Sequence, residues 1–482
     1  MKNQFLVTAL LLFLFASMKA APFRYVVAQD GSGDYTSIQA AITACPDNER
    51  SIIFIKNGTY DEQVALGTKS TASKKYISLV GESYGGVVIT HNQYRASSGS
   101  PTYEDICTVK LFANDFYAEN ITIQNTATAG MAEALFTAGD RQTFKNCQVL
   151  GYQDAYRAKK GARCYFKNSL LQGAVDFIYA GGTVFFDDCT INCVKGGGYI
   201  VAPEDRVKYI PAASTASGKD LNLEFIFRNC TITANADVSD NSYTLGRPWN
   251  ANAGAYYLNC KLGSHIKAAG WTIMGGNETT ASFAEYNSMD KNGNPISTSG
   301  RISWSFQLAK ADVDNYLNPA YVYAQLSTTV YDPVALCVSP AKPTITVNAN
   351  AISWTAIPDA VGYIIYKDGK YLANTIETSY TDNSGTSGVY TVKSINAMGV
   401  QSDAGGITAV SDVNTSRTKF QIKHKIIAFN EAVSFELYTL KGQSLKKTLH
   451  TSSVELSNFA SGVYLISYKG SNGKTQQATI LL

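Results

Sequence analysis

Five short segments of the chain repeat one pattern: FKNCQVLG from 144, FKNSLLQG from 166, FDDCTINC from 186, FRNCTITA from 227 and YLNCKLGS from 257. Each reads as an aromatic, a polar pair, a small residue and then alternating apolar and polar positions, and FYAENITIQN from 116 is a looser copy. Alternation of this kind marks a half-buried strand. The first two intervals are 22 and 20 residues and the later ones 41 and 30, with Gly and Asn between the strands. Short strands at that period predict a parallel β-solenoid, in which no coil buries its own inner face and stacking makes the core. On this reading Cys147, Ser169, Cys189, Cys230 and Cys260 form an inward ladder of small residues.

The pattern differs at both ends. Residues 30–64 give a turn, an amphipathic helix from about Ser37 to Ala44 and a buried strand. That helix would cap the open end of the solenoid, where a bare edge invites aggregation. Beyond Pro333 short alternating strands, turns every eight to twelve residues and one core tryptophan, Trp354, predict a small β-sandwich over 340–410. Its ISW, GYIIYKDG and YTVKSINAMG stretches resemble a fibronectin type III module. A polar linker near 411–418 leads to a last set of short strands over 418–482. There FELYTLKGQSLKK and LSNFASGVYLISYKG resemble the C-terminal sorting domain of type IX secretion substrates. The first 21 residues carry Lys2, an apolar stretch from Phe5 to Phe15 and small residues at Ala20 and Ala21, the layout of a secretory signal peptide rather than of a buried helix. No later run is long enough to span a membrane, so a secreted or cell-surface protein is expected.

Composition narrows the classes. With 482 residues the solenoid (22–332) and its two followers fit the usual domain sizes, and 45% hydrophobic against 16% charged residues describes packed domains. A formal net charge of +3 without charged blocks excludes a nucleic-acid arm. The nine cysteines are odd in number and scattered, with no CxxC pair, so reduced core thiols are favoured over bridges. Cys189 and Cys193 are the one pair close enough in sequence to test for a bond.

Absences narrow the chemistry further. Of four histidines only His91 and His265 serve the large domain, and no G-x-S-x-G, H-E-x-x-H, Walker A or strand-linked G-x-G-x-x-G is present. Chemistry then rests on carboxylates, arginine and amides, which stand inside apolar surroundings at three places: GYQDAYR (Gln153, Asp154, Tyr156), GAVDFIYAGG (Asp176, Tyr179) and LGRPWN (Arg247, Trp249). Taken singly, each aspartate fits a turn cap or a structural ion pair. Together they lie 22 residues apart, one repeat interval, which stacks them on neighbouring coils. Two carboxylates in one desolvated site are driven apart in pKa, so that one ionises while the other keeps a proton.

The stretches DGSGDYTSIQAAI, NGTYDEQV, ITIQNTA, GYQD, VDFI and LGRPW occur in this order, and with them the chain resembles the pectin methylesterases over about residues 23–330. The resemblance implies an all-β fold: a right-handed single-stranded parallel β-helix with a small N-terminal capping helix, followed by one or two small β-sandwich modules. It implies hydrolysis of galacturonate methyl esters in pectin (methylated homogalacturonan) without metal or organic cofactor. It assigns Asp176 as nucleophile, Asp154 as general acid and then base, Arg247 as the partner of the nucleophile and Gln153 as an oxyanion donor. Trp249, Tyr179 and Tyr156 become groove aromatics, with core packing the alternative for Tyr179. The expected partners are pectin and the type IX secretion machinery, and a monomer is expected. Three departures stand out. Met131 replaces a second family glutamine, with Glu133 nearby but of the wrong charge unless protonated. Ala180 stands where a glycine is expected, and the loop between the aspartates is one residue longer than usual. The rival readings are a pectate-lyase-like β-helix enzyme and a catalytically silent polysaccharide-binding protein, the latter supported by Met131.

Overall fold

A computed structural model describes residues 23–70, 73–96, 101–204, 208–384, 388–405, 420–423, 425–439, 444–459, 463–469 and 475–481. The expected signal peptide (1–21) and the linker near 411–418 lie outside the described residues. The chain divides into two compact units: one holds the residues up to 345 with 353–380 and 386–406, the other 346–352, 381–385 and 407–482.

In the first unit three parallel sheets of eleven, nine and seven strands, counted among the described residues, run side by side, each strand pairing with its counterpart one coil away. This is a parallel β-helix. The repeated segments show why the sequence folds so. Phe144, Phe166, Phe186, Phe227 and Tyr257 stack face to face inside it, with successive ring centroids 4.5, 5.3, 4.5 and 4.4 Å apart. Two residues later Asn146, Asn168, Asp188, Asn229 and Asn259 turn the corner into the next sheet with φ between +50° and +56°, a left-handed conformation that Asn and Asp adopt more readily than other side-chain-bearing residues. Then come Cys147, Ser169, Cys189, Cys230 and Cys260, all buried. Cys147, Cys189, Cys230 and Cys260 join one core cluster with the aromatic stack. All nine cysteines are buried free thiols, Cys189 and Cys193 included.

The N-terminal end is closed by the helix α1, Ile38–Ala44, whose Ile38, Ala41 and Ile42 join the solenoid core. Its first turn is held by two side chains. Ser37 Oγ accepts from the Ala40 amide at 3.2 Å, and the Glu62 carboxylate accepts from the Ile38 and Gln39 amides at 2.7 and 3.1 Å, a negative charge where the helix dipole favours one. The outer face of the eleven-stranded sheet, through Tyr165, Phe185, Ile226 and Tyr256, is covered by residues of the helices Lys310–Tyr316, Pro319–Leu326 and Pro333–Leu336.

Further along, Ala360–Lys367, Lys370–Thr375 and Tyr390–Asn396 form a three-stranded antiparallel sheet. Its Ile364, Tyr366 and Ile395 pack on Phe23, Ile52, Phe54 and Val80 of the solenoid. Polar contacts fix the same junction: the Gln401 amide donates to Glu119 at 2.9 Å and the Tyr366 hydroxyl to the Glu82 carbonyl at 3.0 Å. In the second unit the strands Ile426–Tyr438, Ser444–Glu455, Val463–Lys469 and Thr475–Leu481 lie antiparallel around a core that includes Ile427, Phe435, Leu437, Val454 and Ile466. Among the described residues no helix is long and apolar enough to cross a membrane.

Candidate active site

Tyr156–Ala158 and Val175–Ala180 are neighbouring strands of the seven-stranded sheet, Tyr156 pairing with Ile178. Just before them an isolated bridge joins Gln153 to Val175, so one residue further along each coil stand Asp154 and Asp176. Both aspartates adopt left-handed backbone, with φ +60° and +46°. On its other side the Asp176 strand shifts register between Val175 and Ile178 against Tyr199–Pro203. Such a bulge lifts a side chain out of the regular ladder and re-aims it. A strained residue costs on the order of 1–3 kcal/mol and persists only where its surroundings over-determine it; here parallel coils hold it on both sides.

The two aspartates open on a cleft of about 150 Å³ lined also by Tyr103, Met131, Gln153, Tyr179, Trp249 and Met274. Arg247, which follows the strand Thr244–Gly246, reaches across the sheet to Asp176. Its Nε donates to Oδ1 at 3.0 Å and its Nη2 to Oδ2 at 2.5 Å. The guanidinium in turn lies 3.9 Å from the ring centroid of Tyr199, which fixes its plane. Asp154 is only 7% exposed, and among the described residues its carboxyl takes part in no hydrogen bond. Burial first, then the charges of Asp176 and Glu133, push its pKa up to about 8. Burial also lifts Asp176, but the hydrogen bonds and charge of Arg247 oppose that lift. With a cation fixed on one carboxylate and none on the other, a single proton shared by the pair settles on Asp154.

Trp249 is 38% exposed and forms one wall of the cleft, with Tyr179 against it at 5.7 Å between ring centroids. Among the described residues Gln153 carries the only side-chain amide lining the cleft. Met131 occupies the place of the missing glutamine, its Sδ 3.4 Å from the Tyr103 hydroxyl. Tyr156, expected among the groove aromatics, is instead a core residue. It points into the solenoid, fully buried, its ring 5.1 Å from Phe166 and its hydroxyl 2.9 Å from Thr137 Oγ1. Alternation explains the difference, because Tyr156 stands two residues from Asp154 but beyond its left-handed kink, which inverts the facing of the residues after it.

Sequence reasoning missed Tyr103, Tyr199 and Met274, for which the chain offers no signal. Glu133, which sequence reasoning weighed only as a neighbour of Met131, did offer one: MAEALF sets a lone carboxylate in an apolar run, as GAVDFIYAGG does. Ala180 has φ +73°, the left-handed conformation that makes a glycine the ordinary choice there. Among the described residues no group of three or more His, Cys, Asp or Glu side chains is arranged to hold a metal ion.

A pair of stacked aspartates, one of them clamped by arginine, beside aromatic walls on a parallel β-helix, makes a carboxylate-based candidate site. The comparisons with known proteins narrow this class. Residues 24–324 match the family model described as pectinesterase, and residues 414–481 match a secretion system C-terminal sorting domain. The chain belongs to the pectinesterase family. It is 30% identical over 323 residues to a pectinesterase/pectinesterase inhibitor of Brassica campestris, covering 64% of this chain and 54% of that protein. It is 31% identical over 311 residues to pectinesterase 31 of Arabidopsis thaliana, covering 61% and 91%. The solved structure of the pectin methylesterase from carrot superposes with a TM-score of 0.54 at 26% identity, covering 64% of this chain and 97% of that one. The chain spans about half the length of the first curated relatives it matches. The sorting domain marks an exported, secreted or cell-surface protein.

Proposed function

We propose that this protein hydrolyses the methyl esters of galacturonate units in pectin, releasing methanol and the free carboxylate. The observation that carries the reading is the asymmetry of the two aspartates: neighbours on adjacent coils in one cleft, with Arg247 on Asp176 alone. An ionised Asp176 attacks the ester carbonyl carbon. Asp154, still protonated, gives its proton to the methoxy oxygen as methanol leaves, and an acyl-enzyme anhydride forms on Asp176. Asp154, now a carboxylate, takes a proton from water, whose oxygen attacks the anhydride, and Asp176 is released. The raised pKa of Asp154 suits a group that must be acid in the first step and base in the second. The Gln153 amide, which lines the cleft, donates to the oxyanion on this reading, and Trp249 and Tyr179 offer flat faces to pyranose rings. The sorting domain supports delivery through type IX secretion.

Methanol release from methylated pectin tests the reading, with Asp176→Asn and Asp154→Asn as controls. Loss of turnover by several orders of magnitude with retained folding is expected in both. Turnover persisting in either variant sinks the assignment. Met131, which cannot donate to an oxyanion, favours one second reading, a silent pectin-binding protein. That reading wins if the wild type releases no methanol while Asp176→Asn binds pectin as tightly.

A further inference from the structure

The column of carboxylates on the seven-stranded sheet does not end with the aspartate pair. Leu135 pairs with Tyr156, and two residues earlier on each coil stand Glu133 and Asp154. Glu133, Asp154 and Asp176 therefore occupy three successive coils. Glu133 is fully buried. The Tyr179 hydroxyl donates to its Oε1, and Arg157 Nε lies 2.9 Å from the same oxygen. That approach is an ion pair of poor hydrogen-bond alignment, since Glu133 Oε2 and Arg157 Nε and Nη2 are buried without a hydrogen-bond partner. Arg157 is held over the Phe136 ring at 3.7 Å. A buried carboxylate this poorly satisfied destabilises the fold.

We propose that Glu133 is a positioning residue that keeps the proton on Asp154, its charge one coil away opposing ionisation of the general acid. The inference rests on the esterase reading above. The charged and titratable groups around the two carboxyls are few. Asp154 faces Asp176, Glu133, Arg157 and Arg247. Glu133 faces Arg157, Tyr179 and Glu104, with the Cys107 thiol beside it. Of these only Asp176 and Glu133 are negative charges raising Asp154, Asp176 the more strongly; each has an arginine, Arg247 in a two-bond fork on Asp176 and Arg157 in a poorly aligned ion pair on Glu133. Glu133 also bears the last carboxylate of the column, so its own protonation, near pH 7 under the same burial, makes its influence strongest on the alkaline side. There the enzyme is about to lose its acid.

The sign follows from charge. In Glu133→Gln the Arg157 cation loses its nearer carboxylate and keeps only Glu104, 4.0 Å from its Nη2; the carboxylate form of Asp154 becomes easier to reach, and the alkaline limb of kcat moves to lower pH by about one unit. In the double variant Glu133→Gln/Arg157→Gln both charges are gone, and the limb returns toward the wild-type position. A purely structural role predicts the opposite order, the double variant further impaired than the single. Methanol release is followed across the alkaline range for wild type, both variants and Asp154→Asn. A limb unmoved in Glu133→Gln, or a double variant shifted further than the single, overturns the proposal while wild-type turnover leaves the esterase reading standing. Absence of methanol from the wild type fails that reading instead. Should Glu133→Gln not fold, the protonated-carboxyl infrared band of the wild type is titrated. Two carboxyl protons lost between neutral and alkaline pH, one of them absent in Asp154→Asn, support the proposal, and a single proton overturns it.

Discussion

Arg247→Gln tests how the site keeps two carboxyl groups in different protonation states. In the structure two charge-assisted hydrogen bonds, at 3.0 and 2.5 Å, hold Asp176 in a fork. Hydrogen bonds to charged groups contribute about 1.5–3 kcal/mol each. The pair is partly shielded, with side chains 22% and 14% exposed, so about 3 kcal/mol for the whole fork is a conservative value. At 1.36 kcal/mol per unit, losing it raises the pKa of Asp176 by about 2 units. In the wild type Asp176 ionises first while Asp154 holds its proton up to about pH 8, and the reactive state spans the interval between them. Without Arg247 the interval closes, the two carboxyls share one proton, and the reactive arrangement becomes one of two nearly equal forms.

The expected result is an acid limb of kcat/KM moved up by about 2 pH units and a fall of about 100-fold in methanol release at mildly acid pH. Arg247→Lys retains the charge without the fork and should fall between. The assay is methanol release on one pectin from about pH 5 to about pH 9, with pectin binding measured alongside. A uniform loss with both limbs in place, or an effect confined to KM, refutes the reasoning, because Arg247 would then act on the polymer rather than on Asp176.

Other outcomes are expected at the same site and in its frame. Asp154→Asn should stabilise the protein: the folded state raises this pKa, so between the ordinary carboxylate value and about pH 8 the native form must hold a proton that the unfolded chain gives up. Stability therefore falls as pH rises through that window, and the variant's gain in stability, on the order of 2 kcal/mol, should be larger at pH 8 than at pH 4 and show as a larger rise in Tm; an equal gain at both sinks the assignment. Met131→Gln restores an amide to the cleft and should raise kcat by about tenfold or more, given that a single oxyanion donor is worth about 10²–10³; unaltered turnover means the hole is completed elsewhere. Ala180→Gly removes a left-handed alanine and should raise thermal stability by up to about 1 kcal/mol, the relief of strain exceeding the entropy of the added glycine. Ending the chain after Ser339 uncovers Ile52, Phe54 and Val80; at about 1.5–3 kcal/mol each this should lower the Tm by roughly 10 °C, and an unchanged Tm would make the sheet beyond Ser339 a mere spacer.

The fold was legible because the coil repeats its needs. Five turns of the solenoid repeat a ring to stack, a residue tolerant of positive φ and a small buried side chain, and FKNC writes those three demands in order. The helix α1 was equally open, since Ser37 and the apolar spacing of Ile38, Ala41 and Ile42 are local signals. What the chain hid depends on contacts between coils of unequal length. Arg247 meets Asp176 across 71 residues, a pairing that the family resemblance supplied and no spacing could, and Tyr199 beneath it belongs to a third strand with no motif of its own.

Tyr156 and Glu133 mark the limit from opposite sides. Tyr156 sits in a motif rich in site residues, yet the kink at Asp154 turns it inward, so proximity in sequence misled where facing decides. Glu133 sits outside the motifs, yet the question that drew attention to Asp176, a carboxylate set among residues that want no water, applies to it unchanged. A lone charge in an apolar strand is answered in the structure each time by a specific arginine: Arg247 for Asp176 and Arg157 for Glu133. Among the described residues Asp154 alone has no such partner, and the one unpartnered carboxyl in a column of three is the one that the proposed mechanism asks to carry a proton to the leaving methanol.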